Sequence, residues 1–291
     1  NGFYAMKAHW SEHPDRDQAW ADAEKARIGD ERFRREHECE FLIYDETLIS
    51  STHLIDMEPQ EPIEKTGQVR WFKRPTPGMT YMVSLDPAMG TGGDYAAIQV
   101  FELPTFEQVG EWHHNTTPMN QQVRILQSIT KYLHDTIMEK DSSASPQIFY
   151  SMENNSIGEA ALLRVMDIGE ENIPGMFLSE PIRKGHRRKF RRGFNTTAKH
   201  KIDACTKFKE LVENNKMKIN SHLLISELKD FVASGMSFSA KAGQHDDLVS
   251  SCLLMTRMIK TLADFDPKIF EKWTDRTSEL APMPIYGSFT G

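Results

Sequence analysis

Hydrophobic and polar positions along this chain follow two periods, and the change between them divides it. Between residues 15 and 27 (DRDQAWADAEKAR) helix formers dominate, with Asp15 or Asp17 in place to cap and Gly29-Asp30 to stop the helix. Residues 31–42 begin a second helix-like run, so 1–60 are expected to be mostly helical. Pro59, Pro62, Gly67, Pro75, Pro77 and Gly78 interrupt 58–80, which reads as a linker or domain entry.

From Tyr81 the pattern becomes that of strands. Residues 81–86 (YMVSLD) form a short apolar run bounded by breakers, the mark of a buried central strand. A glycine-rich turn, PAMGTGGD, follows, and then two further strands over 95–103 and 108–115, with Pro104 and the short spacing predicting antiparallel hairpins. Apolar residues at 119, 123, 125, 126, 129, 133 and 137 predict a helix over 119–140. Residues 147–152 (QIFYSM) read as a strand ending in Glu153, and 156–168 as a helix with a polar entry. Beyond it come a short strand at 176–178, a loop over 183–192, a helix at 197–212, a small strand at 217–219 and helices at 223–232 and 246–262. Proline and glycine return in 281–291, expected to be a loose tail. The string predicts an α/β fold: three antiparallel strands, then parallel strands separated by helices, in one mixed sheet flanked by helices.

Composition limits what such a fold can serve. The 291 residues suit about one large domain or two smaller ones, and 39% apolar with 26% charged residues can bury a real core. No run approaches ~18 consecutive apolar residues, so no transmembrane helix is expected. No basic-then-apolar start marks a secretory signal. Cys39, Cys205 and Cys252 lie far apart, which excludes the usual zinc spacings and a disulfide framework and fits a reducing compartment. The chain opens at Asn1, as expected of a fragment or processed product.

The net charge of −7 argues against a nucleic-acid partner until its distribution is read. Residues 1–60 carry seven Lys/Arg and fourteen Asp/Glu, and the rest balances at 28 of each sign. Within that neutral part Arg183, Lys184, Arg187, Arg188, Lys189, Arg191 and Arg192 form a run without an acid. Phe190 and Phe194 interleave with it, and Lys199 and Lys201 extend it. Such a run suits contact with a phosphate backbone, which needs charge and no base readout.

Acidic residues fall where this architecture would gather them. Asp86 ends the first strand, Glu153 follows the fourth, and Asp246-Asp247 open the last helix. Neighbouring strands lie ~4.8 Å apart, and ligands of open α/β sheets bind beyond the carboxyl ends of strands. The helix start would bring Asp246 or Asp247 with its positive dipole end. Asp94, beyond the glycines, is a fourth ligand or a neighbour of the ligands. An all-oxygen cluster suits Mg²⁺ or Mn²⁺, and two such ions ~3.5–4 Å apart would cleave a phosphodiester. Taken singly, each acid could be a turn residue or cap, and His245 reads as a supporting residue rather than a ligand. No GxxxxGK[ST], HExxH or GxSxG occurs.

LDPAMGTGGDYAAIQVFE, SMENNSIGEA and GQHDDLVSSCLLM together resemble the nuclease domain of tailed-bacteriophage large terminase subunits, of myovirus type, from about residue 81 to 262. FRREHECEFL (33–42) and the extended segment after it resemble the end of the preceding ATPase domain. The resemblance implies an RNase H-like fold over 81–265, an ATPase remnant in 1–60, a linker at 61–80 and a tail at 266–291. It implies a catalytic set of Asp86, Glu153 and Asp247, with metal held by Asp86, Glu153, Asp246 or Asp247 and with Asp94 auxiliary. The implied activity is Mg²⁺- or Mn²⁺-dependent endonuclease cleavage of concatemeric viral DNA. The implied partners are double-stranded DNA, the portal ring and a small terminase subunit. The setting is the host cytoplasm, at the procapsid, as a ring in the motor or a monomer as a fragment. The family's phosphate loop is missing, so no ATP hydrolysis is expected of this chain. Competing readings are a junction resolvase or transposase of the same fold, and a non-catalytic DNA-gripping module.

Overall fold

The computed structural model describes residues 9–29, 33, 36–38, 47–184 and 187–265. Its centre is a seven-stranded mixed sheet in the order β1-β2-β5-β4-β3-β6-β7. These strands are β1 (Glu64–Thr66), β2 (Val69–Trp71), β3 (Thr80–Asp86), β4 (Ala96–Leu103), β5 (Glu107–His114), β6 (Gln147–Met152) and β7 (Met176–Phe177). β3, β4 and β5 form the expected antiparallel meander. β6 then runs parallel beside β3, and β7 parallel beside β6.

Period-2 alternation explains why both faces are covered. On β3, Met82 joins one core, while Tyr81, Val83 and Leu85 join the other. On β4, Ala97, Phe101 and Leu103 face the first and Ala96, Ile98 and Val100 the second. The second core is closed by α3 (Met119–Lys140) and α4 (Ser156–Ile168). Val123, Leu126, Ile129, Leu133 and Ile137 of α3 are buried there, each burial contributing about 1.5–3 kcal/mol. The first core is closed by α5 (Ala198–Glu213), α6 (His222–Asp230) and α7 (Asp247–Phe265).

Several expectations are corrected. Residues 61–80, expected to be a linker, contribute β1 and β2 to the sheet, where β2 pairs with β5. Within 1–60, α1 (Gln18–Ile28) is capped by Asp17, and the expected run over 31–42 lies largely outside the described residues. The short helix α2 (Ser51–Asp56) belongs with the sheet: Leu48, Ile49 and Leu54 are buried in the first core. The basic run is not a loop but an antiparallel hairpin of β8 (Ser179–Lys184) and β9 (Arg187–Arg192), with Gly185 and His186 outside the described residues. Residues 217–219 form no strand, only a bridge between Lys218 and Glu107. The helix expected to reach 232 ends at Asp230, and a hairpin of β10 (Phe231–Ser234) and β11 (Ser237–Ala240) follows. Gly235, at φ 59°, makes that turn possible. The tail at 266–291 lies outside the described residues.

Candidate metal centre

Asp86 and Glu153 are brought together by the β3–β6 register. Leu85 lies opposite Met152, and the Glu153 N–H donates to the Leu85 carbonyl at 3.0 Å, so the two acids leave neighbouring strands side by side. Asn155 serves both ends of this junction. Its Oδ1 caps α4 through the N–H groups of Ile157 and Gly158, and its Nδ2 donates to Glu153 Oε2 at 2.9 Å. Gly158 is required because a Cβ there would lie 1.9 Å from the Glu153 carbonyl oxygen. Glu153 is thus both the strand exit beside a helix cap and a member of the acid cluster.

The third acid arrives on α7. Ser84 Oγ donates to the Ser251 carbonyl at 2.8 Å and Ser251 Oγ to the Ser84 carbonyl at 3.1 Å, a buried clasp between β3 and α7. Ser251 lies one turn after Asp247 and Ser84 two residues before Asp86, so the clasp sets the helix start at the end of the strand. Asp247 Oδ2 accepts the Tyr95 N–H at 3.4 Å, and Asp246 Oδ2 accepts the Ala240 N–H at 3.3 Å. Lys201 Nζ lies 3.6 Å from Asp246 Oδ2. Asp94 is exposed on the glycine-rich loop, close enough to raise Asp247. That loop folds against 115–117: Gly92 bonds Asn115, and a Cβ on Gly90 would lie 2.3 Å from the Thr117 carbonyl oxygen.

The cluster is electrostatically unfavourable by itself. Burial, and then the neighbouring Glu153, Asp247 and Asp246, hold the Asp86 carboxyl well above the usual carboxylate range. Burial pushes Asp247 up to about 6, with Asp246 and Asp94 adding and the Tyr95 N–H opposing. Crowded carboxylates of this kind take up a proton or a cation. All donors are oxygen, which fits a hard divalent ion. Among the described residues no three His, Cys, Asp or Glu side chains close on a single ion position. The acids therefore fit a divalent ion in the chemistry of their donors and in the neighbouring ends of the elements that carry them.

Beneath the acids lies a pair that sequence reasoning missed. His113 Nε2 is 3.6 Å from Glu227 Oε1, too long for a hydrogen bond. Burial pushes Glu227 up to about 9 and His113 down to about 4, so at neutral pH this is an uncharged contact and not an ion pair. Tyr95 stacks on His113 with centroids 4.1 Å apart and meets His245 edge-on at 4.8 Å. The available signal for Glu227 was its helical spacing: three residues after buried Leu224, it falls on the apolar face of α6.

The Glu227 shift has a testable sign. Its folded pKa lies above the unfolded value, so this group's stabilising effect is full below about pH 4.5 and is lost as pH rises towards 9. The neighbouring acids are common to both proteins, so the comparison reads the change at residue 227. Glu227→Gln should therefore gain on the native chain by about 1 kcal/mol per pH unit between about pH 5.5 and about pH 8. Denaturant unfolding at both pH values measures this, and parallel pH slopes would show an ionised Glu227.

The expected nucleic-acid residues divide. β8 and β9 carry Arg183, Lys184, Arg187, Arg188, Lys189, Arg191 and Arg192, but the side chains of 182–191 lie outside the described residues. Arg192 pairs with Glu170 and covers the Phe177 ring. Lys199 is exposed, whereas Lys201 reaches the acid cluster. Phe194, expected among the cations, is 1% exposed, beneath the Arg257 guanidinium. Its backbone joins Met152 and Asn154, which roots the hairpin beside Glu153.

Comparison with known proteins agrees with this architecture. Residues 83–258 match the family model of the terminase RNaseH-like domain. The magnesium-bound large terminase nuclease of thermophilic phage G20c superposes with a TM-score of 0.54 at 17% identity, over 73% of this chain and 97% of that one. Its cobalt-bound form gives 0.54 at 16% identity over the same shares. These likenesses show a common RNase H-like fold. With the family model spanning most of the sheet and α7, the chain belongs to the terminase RNaseH-like domain family, the nucleases of viral DNA packaging.

Proposed function

We propose that this chain is an endodeoxyribonuclease that uses Mg²⁺ or Mn²⁺, two ions in the catalytic state, to cut concatemeric viral DNA. The observation that carries the reading is the meeting of Asp86, Glu153 and Asp247 at the ends of β3, β6 and α7, with the Asp86 carboxyl driven up by its neighbours. The bound ions would activate a water and stabilise the leaving oxygen. Asp86, Glu153 and Asp247 would hold them, Asn155 orienting Glu153 and the Tyr95 N–H orienting Asp247. Asp94 and Asp246 would add charge at the rim. The metal-bound phage G20c nucleases support the choice of a divalent ion.

The hairpin supports duplex DNA as the substrate. Arg183 pairs with Arg188 and Lys184 with Arg187 in register. The two strands bring these cations together along one hairpin, which suits a phosphate backbone. With its root beside Glu153, the hairpin would hold the backbone near the acids, together with Lys199 and Lys201. In the motor we place the chain at the portal ring with a small terminase subunit, in the host cytoplasm at the procapsid. Residues 1–60 would be the rear of an ATPase lobe, with no ATP hydrolysis expected of this chain alone.

Supercoiled plasmid incubated with Mg²⁺, Mn²⁺, Ca²⁺ or EDTA tests the reading. Nicked and linear products are expected with Mg²⁺ and Mn²⁺ and none with EDTA. Cutting that persists in EDTA would defeat the metal mechanism. Duplex binding without cutting under any metal would leave a gripping module instead.

A further inference from the structure

The first-turn N–H groups of α7 need acceptors, and helices usually find one in the side chain just before the helix. Asp246 holds that position, and its carbonyl accepts the Ser250 N–H at 2.7 Å. Its carboxylate, however, turns away to Ala240 and Lys201, and that of Asp247 turns to Tyr95. The acceptor comes from another helix. Glu227 Oε2 on α6 accepts the Val249 N–H at 3.1 Å, and the Leu248 N–H also points at this carboxyl.

The position of Glu227 is itself held from the sheet. Ser221, which caps α6, donates through Oγ to Glu111 Oε1 at 2.6 Å. Gln108 Oε1 accepts the N–H groups of Asn220 and Ser221 at 2.9 and 2.8 Å. Leu224, Ile225 and Leu228 bury the same helix in the core. A chain of contacts thus runs from β5 through α6 to the first turn of α7.

We propose that Glu227 is the positioning residue of the metal centre, capping α7 from outside so that neither Asp246 nor Asp247 is drawn into the helix cap. The role rests on the reading of that site as a divalent-metal nuclease centre. Without an acceptor at 227, the bare N–H groups would recruit the nearest carboxylate, Asp246 or Asp247, into the ordinary Asp cap and draw it off the metal. Glu227→Gln keeps the acceptor oxygen and preserves the arrangement. Glu227→Ala removes it, and Glu227→Leu removes it while filling the space.

The experiment measures Mn²⁺ affinity by titration calorimetry for the native chain and the three variants. Plasmid nicking, duplex binding in EDTA and thermal unfolding are followed in parallel. Ala and Leu are expected to lose about 10–100-fold in Mn²⁺ affinity and in nicking, the scale of losing a group that orients a ligand. Duplex binding should be unchanged, and Gln should stay within about threefold of native in Mn²⁺ affinity and nicking, well inside that range. Folded Ala and Leu variants with native Mn²⁺ affinity would overturn the role. So would unfolding of both beside a folded Gln variant, since the acceptor would then support the whole domain. A native chain that neither binds Mn²⁺ nor nicks plasmid defeats the nuclease-centre reading, and this role with it. A competent native chain matched by every variant defeats the role alone.

Discussion

Asp86→Asn is expected to reduce plasmid nicking by about 10³-fold or more while leaving duplex binding intact, on the scale of removing one group that stabilises the transition state. The reason lies in how much the fold spends on this side chain. Asp86 stands at the end of the central strand, next to Glu153 and within the field of Asp246 and Asp247, where burial and repulsion both oppose its charge. A carboxylate kept under such strain serves the fold poorly, and Asn has nearly the same shape without the charge. Thermal stability should therefore hold or rise in the variant, which separates lost chemistry from lost structure. Nicking within about tenfold of the native rate would exclude Asp86 from the chemistry.

The second large effect divides two adjacent acids. Asp247→Asn is expected to cost about 10³-fold in nicking and Asp246→Asn about 10–100-fold. Asp246 already serves the Ala240 N–H and Lys201, which hold its carboxylate towards β11 and α5. Asp247 accepts the Tyr95 N–H at 3.4 Å, has His245 Nδ1 at 3.6 Å, and contributes more than Asp246 to the field on Asp86. Rate constants at saturating Mn²⁺, measured side by side, decide the assignment. A larger loss at Asp246 would reverse it, making Asp246 the residue that touches the ion.

Much of this architecture could be read from the chain. The helix expected over 119–140 is Met119–Lys140 and that over 156–168 is Ser156–Ile168, because long stripes of period 3.6 and clear polar entries define helices locally. The meander and the parallel return of β6 also followed from periodicity. The basic run misled because charge suggests a loop, whereas its pairing as β8–β9 depends on where the chain is anchored at both ends. Phe194 misled in the same way: beside arginines in sequence, it is buried beneath Arg257 in space. Residues 61–80 looked like a linker because prolines flank two strands too short to show a period.

Sequence alone determined where the acids stand along the chain: Asp86, Glu153 and the Asp246-Asp247 pair fall at strand and helix ends. Tertiary structure alone decided how they stand. The Ser84–Ser251 clasp, the turn of Asp246 towards Ala240 and the reach of Glu227 to Val249 join residues 167, 6 and 22 positions apart. Local propensity carries information over a few residues, and contacts between elements exist only once the chain has packed. The position of the acids at element ends was therefore legible beforehand, and the contacts that hold them were not.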